Sequence, residues 1–299
     1  MLVRAALLAL ALPLVPSAAW KARAPLPLPR TEVASAALGT QVVAVGGFLA
    51  DGTSSARVDV YRTRSDTWGR LPDLPAAVNH SSAATLGGRF VVVGGYGAQR
   101  SAWTLTNGRW RALPRLPAAR AAAGAAVLGG RLYVVGGVGD RGLARNALEF
   151  DPRRMRWRQL VGPTPREHLA VVAAQGRLYA LAGRTAGIDT NVATVESWRP
   201  GERRWRREPS LPEPRGGTGA AVVGARIVSV GGEAPEGTIR SVYVLDTRTG
   251  VWSRNADLPR PRHGLGVAAA DATVYAVGGG PQPGLYVSDA TDALCLARC

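Results

Sequence analysis

Residues 120–160 read RAAAGAAVLGGRLYVVGGVGDRGLARNALEFDPRRMRWRQL. Ala121–Leu128 is a run of small apolar residues, suited to a strand in a crowded interior. Gly129-Gly130 supplies the positive φ that a two-residue hairpin turn requires. Arg131–Gly137 reads as a second strand ending at a glycine pair, and Val138–Arg145 as a variable loop. Asn146–Asp151 and Arg156–Leu160 read as third and fourth strands across the turn Pro152–Met155. One four-stranded sheet of this size cannot bury both its faces, so the unit needs neighbours of its own kind.

The chain supplies them. Small-Gly pairs recur at Gly46-Gly47, Gly94-Gly95, Gly136-Gly137, Ala182-Gly183, Gly231-Gly232 and Gly278-Gly279, at spacings of 48, 42, 46, 49 and 47 residues. Trp20, Trp68, Trp110, Trp157, Trp205 and Trp252 follow at 48, 42, 47, 48 and 47. Two residue types keep one period and phase through six copies. Sixteen residues before each pair stands Arg30, Val78, Arg120, Arg166, Arg215 or Arg262. Radial stacking of six such sheets buries their faces and leaves only short edges, which predicts an all-β, six-bladed propeller. Trp20 begins a fourth strand that has no strands before it. The last repeat has first strands near Gly266–Gly279 and a third near Leu285–Asp289, but no Trp after them. Residues about 20–24 are therefore expected to complete the last blade. The expected organisation is a signal peptide over 1–19, a propeller over 20–290 and a tail over 291–299.

The pattern Arg … Gly-Gly … Tyr/Phe-Asp … Trp … Leu-Pro, from Trp20 to about Ala290, resembles the kelch repeat. The resemblance implies a kelch propeller, and a propeller hosts many unrelated functions.

Composition narrows the classes. The 299 residues include 37 Gly and 21 Pro, which favours short elements joined by turns and argues against a helical bundle. Two cysteines, Cys295 and Cys299, exclude a disulfide-dense scaffold and a Cys-rich zinc site. The net charge is +16, yet the arginines are scattered, which fits compositional bias better than a nucleic-acid surface. Met1–Arg4, the apolar run Ala5–Val15 and Ser17-Ala18-Ala19 have the form of a cleavable export signal too short to span a bilayer. The mature chain is expected to be an exported, periplasmic or extracellular monomer beginning near Trp20. Its cysteines would then be free to oxidise.

Candidate site residues come from the starts of the innermost strands and from the loops after the glycine pairs. Arg30, Arg120, Arg166, Arg215 and Arg262 form a ring broken at Val78. Two residues beyond stand Glu32, His80 and His168, and side chains two apart on a strand point the same way. Glu167 and His263 lie in the intervening phase, and Arg184 in a loop. One reading is a polar channel mouth in which Arg donates to an anionic or hydroxylated ligand. The other is that these arginines bond loop carbonyls and lock the blades. No His-x-His or Glu-x-x-His spacing supports a metal, and no cofactor is expected. A kelch enzyme of the galactose oxidase type would need a Cys cross-linked to a Tyr within the blades, whereas Cys295 and Cys299 are expected to lie past the last one. A short stretch, Gly232-Glu233-Ala234 with Gly237-Thr238-Ile239-Arg240, is similar to the site of N-acetylneuraminate epimerases. That resemblance implies Glu233 as general base and Arg240 as holder of a sugar carboxylate. The leading expectation is a binding module for a carbohydrate or protein partner at the channel mouth. A sugar mutarotase or epimerase built on Glu233 and Arg240 is the alternative.

Overall fold

A computed structural model describes residues 19–296. Six four-stranded antiparallel sheets are arranged as the blades of a propeller. Blade 1 holds Ala34–Leu38, Gln41–Val45, Val58–Arg62 and Thr67–Leu71, and each later blade repeats this order from the axis outwards. In blade 6, Gly266–Ala270, Thr273–Val277 and Thr291–Cys295 are completed by Trp20–Ala22, with Trp20 opposite Leu294 and Ala22 opposite Asp292. The ring is thus closed by pairing its two ends, as the phase of Trp20 predicts.

The boundary at residue 290 needs correction. Thr291–Cys295 is a strand of the last blade, between Thr273–Val277 and Trp20–Ala22, not a tail. The segment expected to be that strand, Leu285–Asp289, is part of a loop. Pro281 and Pro283 withhold backbone donors just before it, and Leu285 and Tyr286 are exposed. Cys295 therefore lies inside the last blade, not past it, and is disulfide-bonded, while Cys299 and residues 1–18 of the expected signal lie outside the described residues. Among the described residues no helix is long and apolar enough to cross a membrane.

The core lies between blades. Each of six apolar clusters joins two neighbouring sheets; Val43, Val58 and Val60 of blade 1, for example, pack on Phe90, Val92 and Trp103 of blade 2. Each such side chain contributes about 1.5–3 kcal/mol by leaving water. Six tryptophans, five in the outer strands and Trp205 just before one, rivet the ring. Trp68 Nε1 donates to Ala24 O at 2.8 Å, and Trp110, Trp157, Trp205, Trp252 and Trp20 donate to Pro72, Pro114, Val161, Pro209 and Ala256. Each bond crosses to the segment that leaves the preceding blade.

Two belts of backbone hydrogen bonds circle the axis. In the outer belt the second residue of each glycine pair donates to the next blade. Gly47 reaches Val78 O, Gly95 reaches Arg120 O, and so round to Gly279 and Arg30 O, at 2.8–2.9 Å. A Cβ on Gly46 would sit 2.7 Å from Val78 O of the next blade, and one on Gly47 2.5 Å from Thr31 O of its own, so both close approaches require glycine. In the inner belt His80 N donates to Glu32 O, Ala122 N to His80 O, His168 N to Ala122 O, Gly217 N to His168 O and Gly264 N to Gly217 O. Val33 N closes the circle on Gly264 O. All six positions from Glu32 to Gly264 have φ between 49° and 58°.

A candidate site at the channel mouth

The left-handed backbone of the inner belt decides what reaches the axis. In regular strand, residues 30 and 32 would share a face. With φ of 52° at Glu32, 51° at His80 and 52° at His168 that alternation is broken. Glu32, His80 and His168 point to the axis, and Arg30 and Arg166, two residues before the first and last of them, turn into their own blades.

Arg30, Arg120, Arg166, Arg215 and Arg262 are all at most 2% exposed. Arg30 donates to Gly46 O and Arg57 O and pairs with Asp59. Arg120 donates to Ala119 O and Asn146 O, and Arg166 to Ala180 O and Ala182 O with Glu196 as its ion partner. Arg215 donates to Gly231 O and Ser241 O; Arg262 donates to Ala290 O and pairs with Asp292. The backbone carbonyl of each of these arginines accepts the outer-belt bond from the preceding blade. These five residues are struts, and the reading that makes them ligand donors is corrected. Desolvation is the physical consequence: burial lowers all five guanidinium pKa values, those of Arg30 and Arg120 to about 10.

What remains at the mouth is a compact polar floor. His80 Nε2 lies 3.3 Å from Glu32 Oε2 and 3.0 Å from His168 Nε2. Arg184 reaches from blade 4 to His168 Nε2 at 3.0 Å, Glu167 Oε1 at 3.0 Å and Glu233 Oε1 at 2.7 Å. His263 Nδ1 stands 3.3 Å from both Glu32 Oε1 and Glu233 Oε2. Burial drives His80 down to about 4 despite the nearby Glu32, so its ring is neutral at pH 7. His263 moves the other way: burial lowers it, but the two flanking carboxylates outweigh that and raise it. Burial would also raise Glu32, but the surrounding histidines hold its carboxyl well below the usual range. Gly264 makes room for this carboxylate, since a Cβ there would lie 2.7 Å from Glu32 Cδ.

The floor separates two spaces. Below it the inner strands line a channel of about 450 Å³, walled largely by alanine, valine and glycine. Above it a pocket of about 310 Å³ opens between the loops, with Phe48, Ile188, Pro283 and Leu285 at its sides and Glu32, His80, His168, Arg184, Glu233 and His263 at its base. Phe48 and Tyr96 both meet the His80 ring edge-on, at 5.7 and 5.5 Å.

The structure therefore brings together seven of the residues named from sequence: Glu32, His80, Glu167, His168, Arg184, Glu233 and His263. Arg240 is not among them. Its side chain is 57% exposed and its ion partner is Asp257 at 3.7 Å, while Arg184 is the cation that meets Glu233. Asn79 was missed. Its Oδ1 lies 2.6 Å from His80 Nδ1, and its only signal in the sequence is its position beside a ring histidine.

The geometry defines the class: a six-bladed β-propeller with a polar floor at one mouth. A family model for the Kelch motif matches residues 29–75, 119–164, 165–212 and 214–259, more than half of the chain, and the chain belongs to this family. It is 29% identical over 241 residues to the Kelch-like protein terF of Aspergillus terreus, covering 72% of this chain and 52% of that one. It is 30% identical over 229 residues to the Kelch-like protein 25 of Xenopus tropicalis, covering 76% and 33%. The chain thus spans about half or less of these relatives' length. A solved structure, that of YjhT, superposes with a TM-score of 0.76 at 16% identity, covering 89% of this chain and 95% of that one. This likeness is one of fold.

Proposed function

We propose that the protein is a binding module that engages a protein partner through the channel-mouth face, and that it works outside the cytoplasm. The observation that carries the first part is the mouth pocket itself. Apolar side chains, Phe48, Ile188 and Leu285, with Tyr286 beside them, rim a base of hydrogen-bonding groups. Leu285 and Tyr286 are 53% and 55% exposed. An apolar rim around a few convergent polar groups suits a partner that inserts one polar side chain and covers the rim. The base carries Glu32 and Glu233 with Arg184 as its arginine, so a neutral or cationic group fits better than the anion expected from the arginine ring. The proposal of export rests on the form of the N-terminal segment and agrees with an oxidised Cys295. The isomerase reading required Glu233 and Arg240 to act together, and their separation leaves it without support.

A peptide-display selection and a glycan array on the chain from Trp20 onward test the reading. Binders from the selection are expected to lose at least tenfold in affinity when Leu285 and Tyr286 are both changed to Ser, with little change on raising salt. Binding unchanged in that variant but abolished by salt would move the interaction to the arginine-rich outer strands. Hits confined to the glycan array would replace a protein partner by a carbohydrate one.

A further inference from the structure

Three acceptor atoms converge at the floor of the mouth, and hydrogen bonding fixes which way each presents itself. Asn79 Nδ2 donates to Ser54 Oγ at 2.7 Å, so Asn79 Oδ1 is free to accept the proton of His80 Nδ1. In the neutral ring that leaves a lone pair on His80 Nε2. Arg184 only donates, and its Nη2 lies 3.0 Å from His168 Nε2. That nitrogen therefore also carries a lone pair, with the ring proton on Nδ1, 3.3 Å from Glu167 Oε1. The two lone pairs face each other across 3.0 Å, with Glu32 Oε2 3.3 Å from the first. Arg184 already offers a positive group to the second lone pair, but the one on His80 Nε2 faces only acceptors, an arrangement that a cation between them would relieve.

We propose that Glu32, His80 and His168 bind a divalent transition-metal ion of the zinc type, with its remaining coordination positions facing the mouth pocket. Metal–nitrogen and metal–oxygen bonds of about 2.0–2.2 Å place neighbouring ligand atoms roughly 3.0–3.5 Å apart. Two of the three separations already have that value, and all three atoms lie within 4.8 Å of one another. His80 has the outer hydrogen bond that metal-bound imidazoles use, from its remote nitrogen to an amide oxygen, and the remote nitrogen of His168 is buried without a hydrogen bond but has the Glu167 carboxylate 3.3 Å away. Two imidazoles and one carboxylate suit zinc, cobalt, nickel or iron(II), and disfavour magnesium and calcium, which take oxygen ligands. The ion would occupy the lone pair of His168 that Arg184 now engages, and Arg184 would keep Glu167 and Glu233. The three ligands stand on the left-handed positions of blades 1, 2 and 4. No local sequence spacing announces the set because each ligand comes from a different repeat. This inference does not depend on the identity of the partner.

The test uses tag-free chain from Trp20 onward, disulfide intact, stripped with a chelator and titrated with zinc chloride, cobalt chloride or magnesium chloride. Calorimetry is expected to give one equivalent of zinc, bound far more tightly than magnesium. In ¹⁵N-histidine spectra the Nε2 signals of His80 and His168 should move on zinc addition, with that of His263 moving much less; this readout needs no variant. The His80→Asn/His168→Asn double variant should lose at least 100-fold in zinc affinity. Asn79→Ala and Glu167→Gln, which remove outer partners, should each lose about 10–100-fold. Zinc bound no more tightly than magnesium, ring signals that do not move, or affinity unchanged in a folded double variant would each overturn the site.

Discussion

Arg184 Nη1 lies 2.7 Å from Glu233 Oε1, joining a loop of blade 4 to a loop of blade 5 at the channel mouth. The same guanidinium holds Glu167, so one cation organises two buried or half-buried carboxylates. Arg240, the arginine that the sequence reading joined to Glu233, plays no part in this. Sequence neighbours on a propeller loop can point to opposite sides, while loops from adjacent blades meet.

Arg184→Ala is expected to destabilise the fold by about 2–5 kcal/mol, because buried Glu233 would lose its arginine and keep only His263 nearby. Arg240→Ala should change stability by less than about 0.5 kcal/mol, as an exposed side chain paired at the surface. Urea unfolding of the two variants side by side measures the difference. Equal effects would contradict the pairing.

The buried arginines predict a second contrast. Arg262→Ala removes the donor to Ala290 O and leaves Asp292 as an unpaired buried charge, so it should cost about 3–5 kcal/mol. A ligand-binding arginine would instead spare stability and cost affinity. Unfolding free energies and binding measured on one preparation separate these outcomes.

Ring closure is testable by truncation. A chain beginning at Arg23 lacks Trp20–Ala22, its ladder with Thr291–Cys295 and the Trp20 bond to Ala256. The melting temperature should fall by about 5–10 °C, as loss of a few kcal/mol implies for a domain of this size. The exposed edge should also promote association, visible by light scattering. An unchanged melting temperature would show that the end pairing contributes nothing.

Blade 3 carries a pH-sensitive ion network. Burial raises the Glu149 pKa, but hydrogen bonds from Arg158 and Arg131 outweigh it, and the folded value lies below the ordinary one. A lowered carboxylate pKa contributes stability above the unfolded value, near 4.3, that is lost as pH falls through the folded value. Wild type and Glu149→Gln should therefore differ most at pH 6–7 and converge as pH falls below about 4. Thermal melts across that range show it; a gap that is constant with pH would contradict the assignment.

The fold was legible because two residue types kept one period: glycine pairs where blades approach closely, and tryptophans where each blade bonds its predecessor. Even the closing strand followed from the phase of Trp20. The site was half legible. Glu32, His80 and His168 were found by their common position, but the arginines beside them were placed on the same face by strand alternation. Nothing in the sequence announced left-handed backbone at Glu32, His80 or His168, since these are not residues that need it; only Gly217 and Gly264 hint at it. Leu285 and Tyr286 misled for a related reason. An apolar pair in the right interval looks like a strand, and only the prolines before it argue for a loop.

The central claim is that the mouth face, with its apolar rim and polar base, is the surface this propeller uses. Hydrogen exchange with and without a selected binder tests it most directly. The account predicts new protection in the mouth loops, around residues 46–55, 183–191, 233–239 and 280–288, with none on the outer strands Arg156–Val161 and Arg206–Glu208. Protection confined to those outer strands, with the mouth loops exchanging as freely as before, would contradict it.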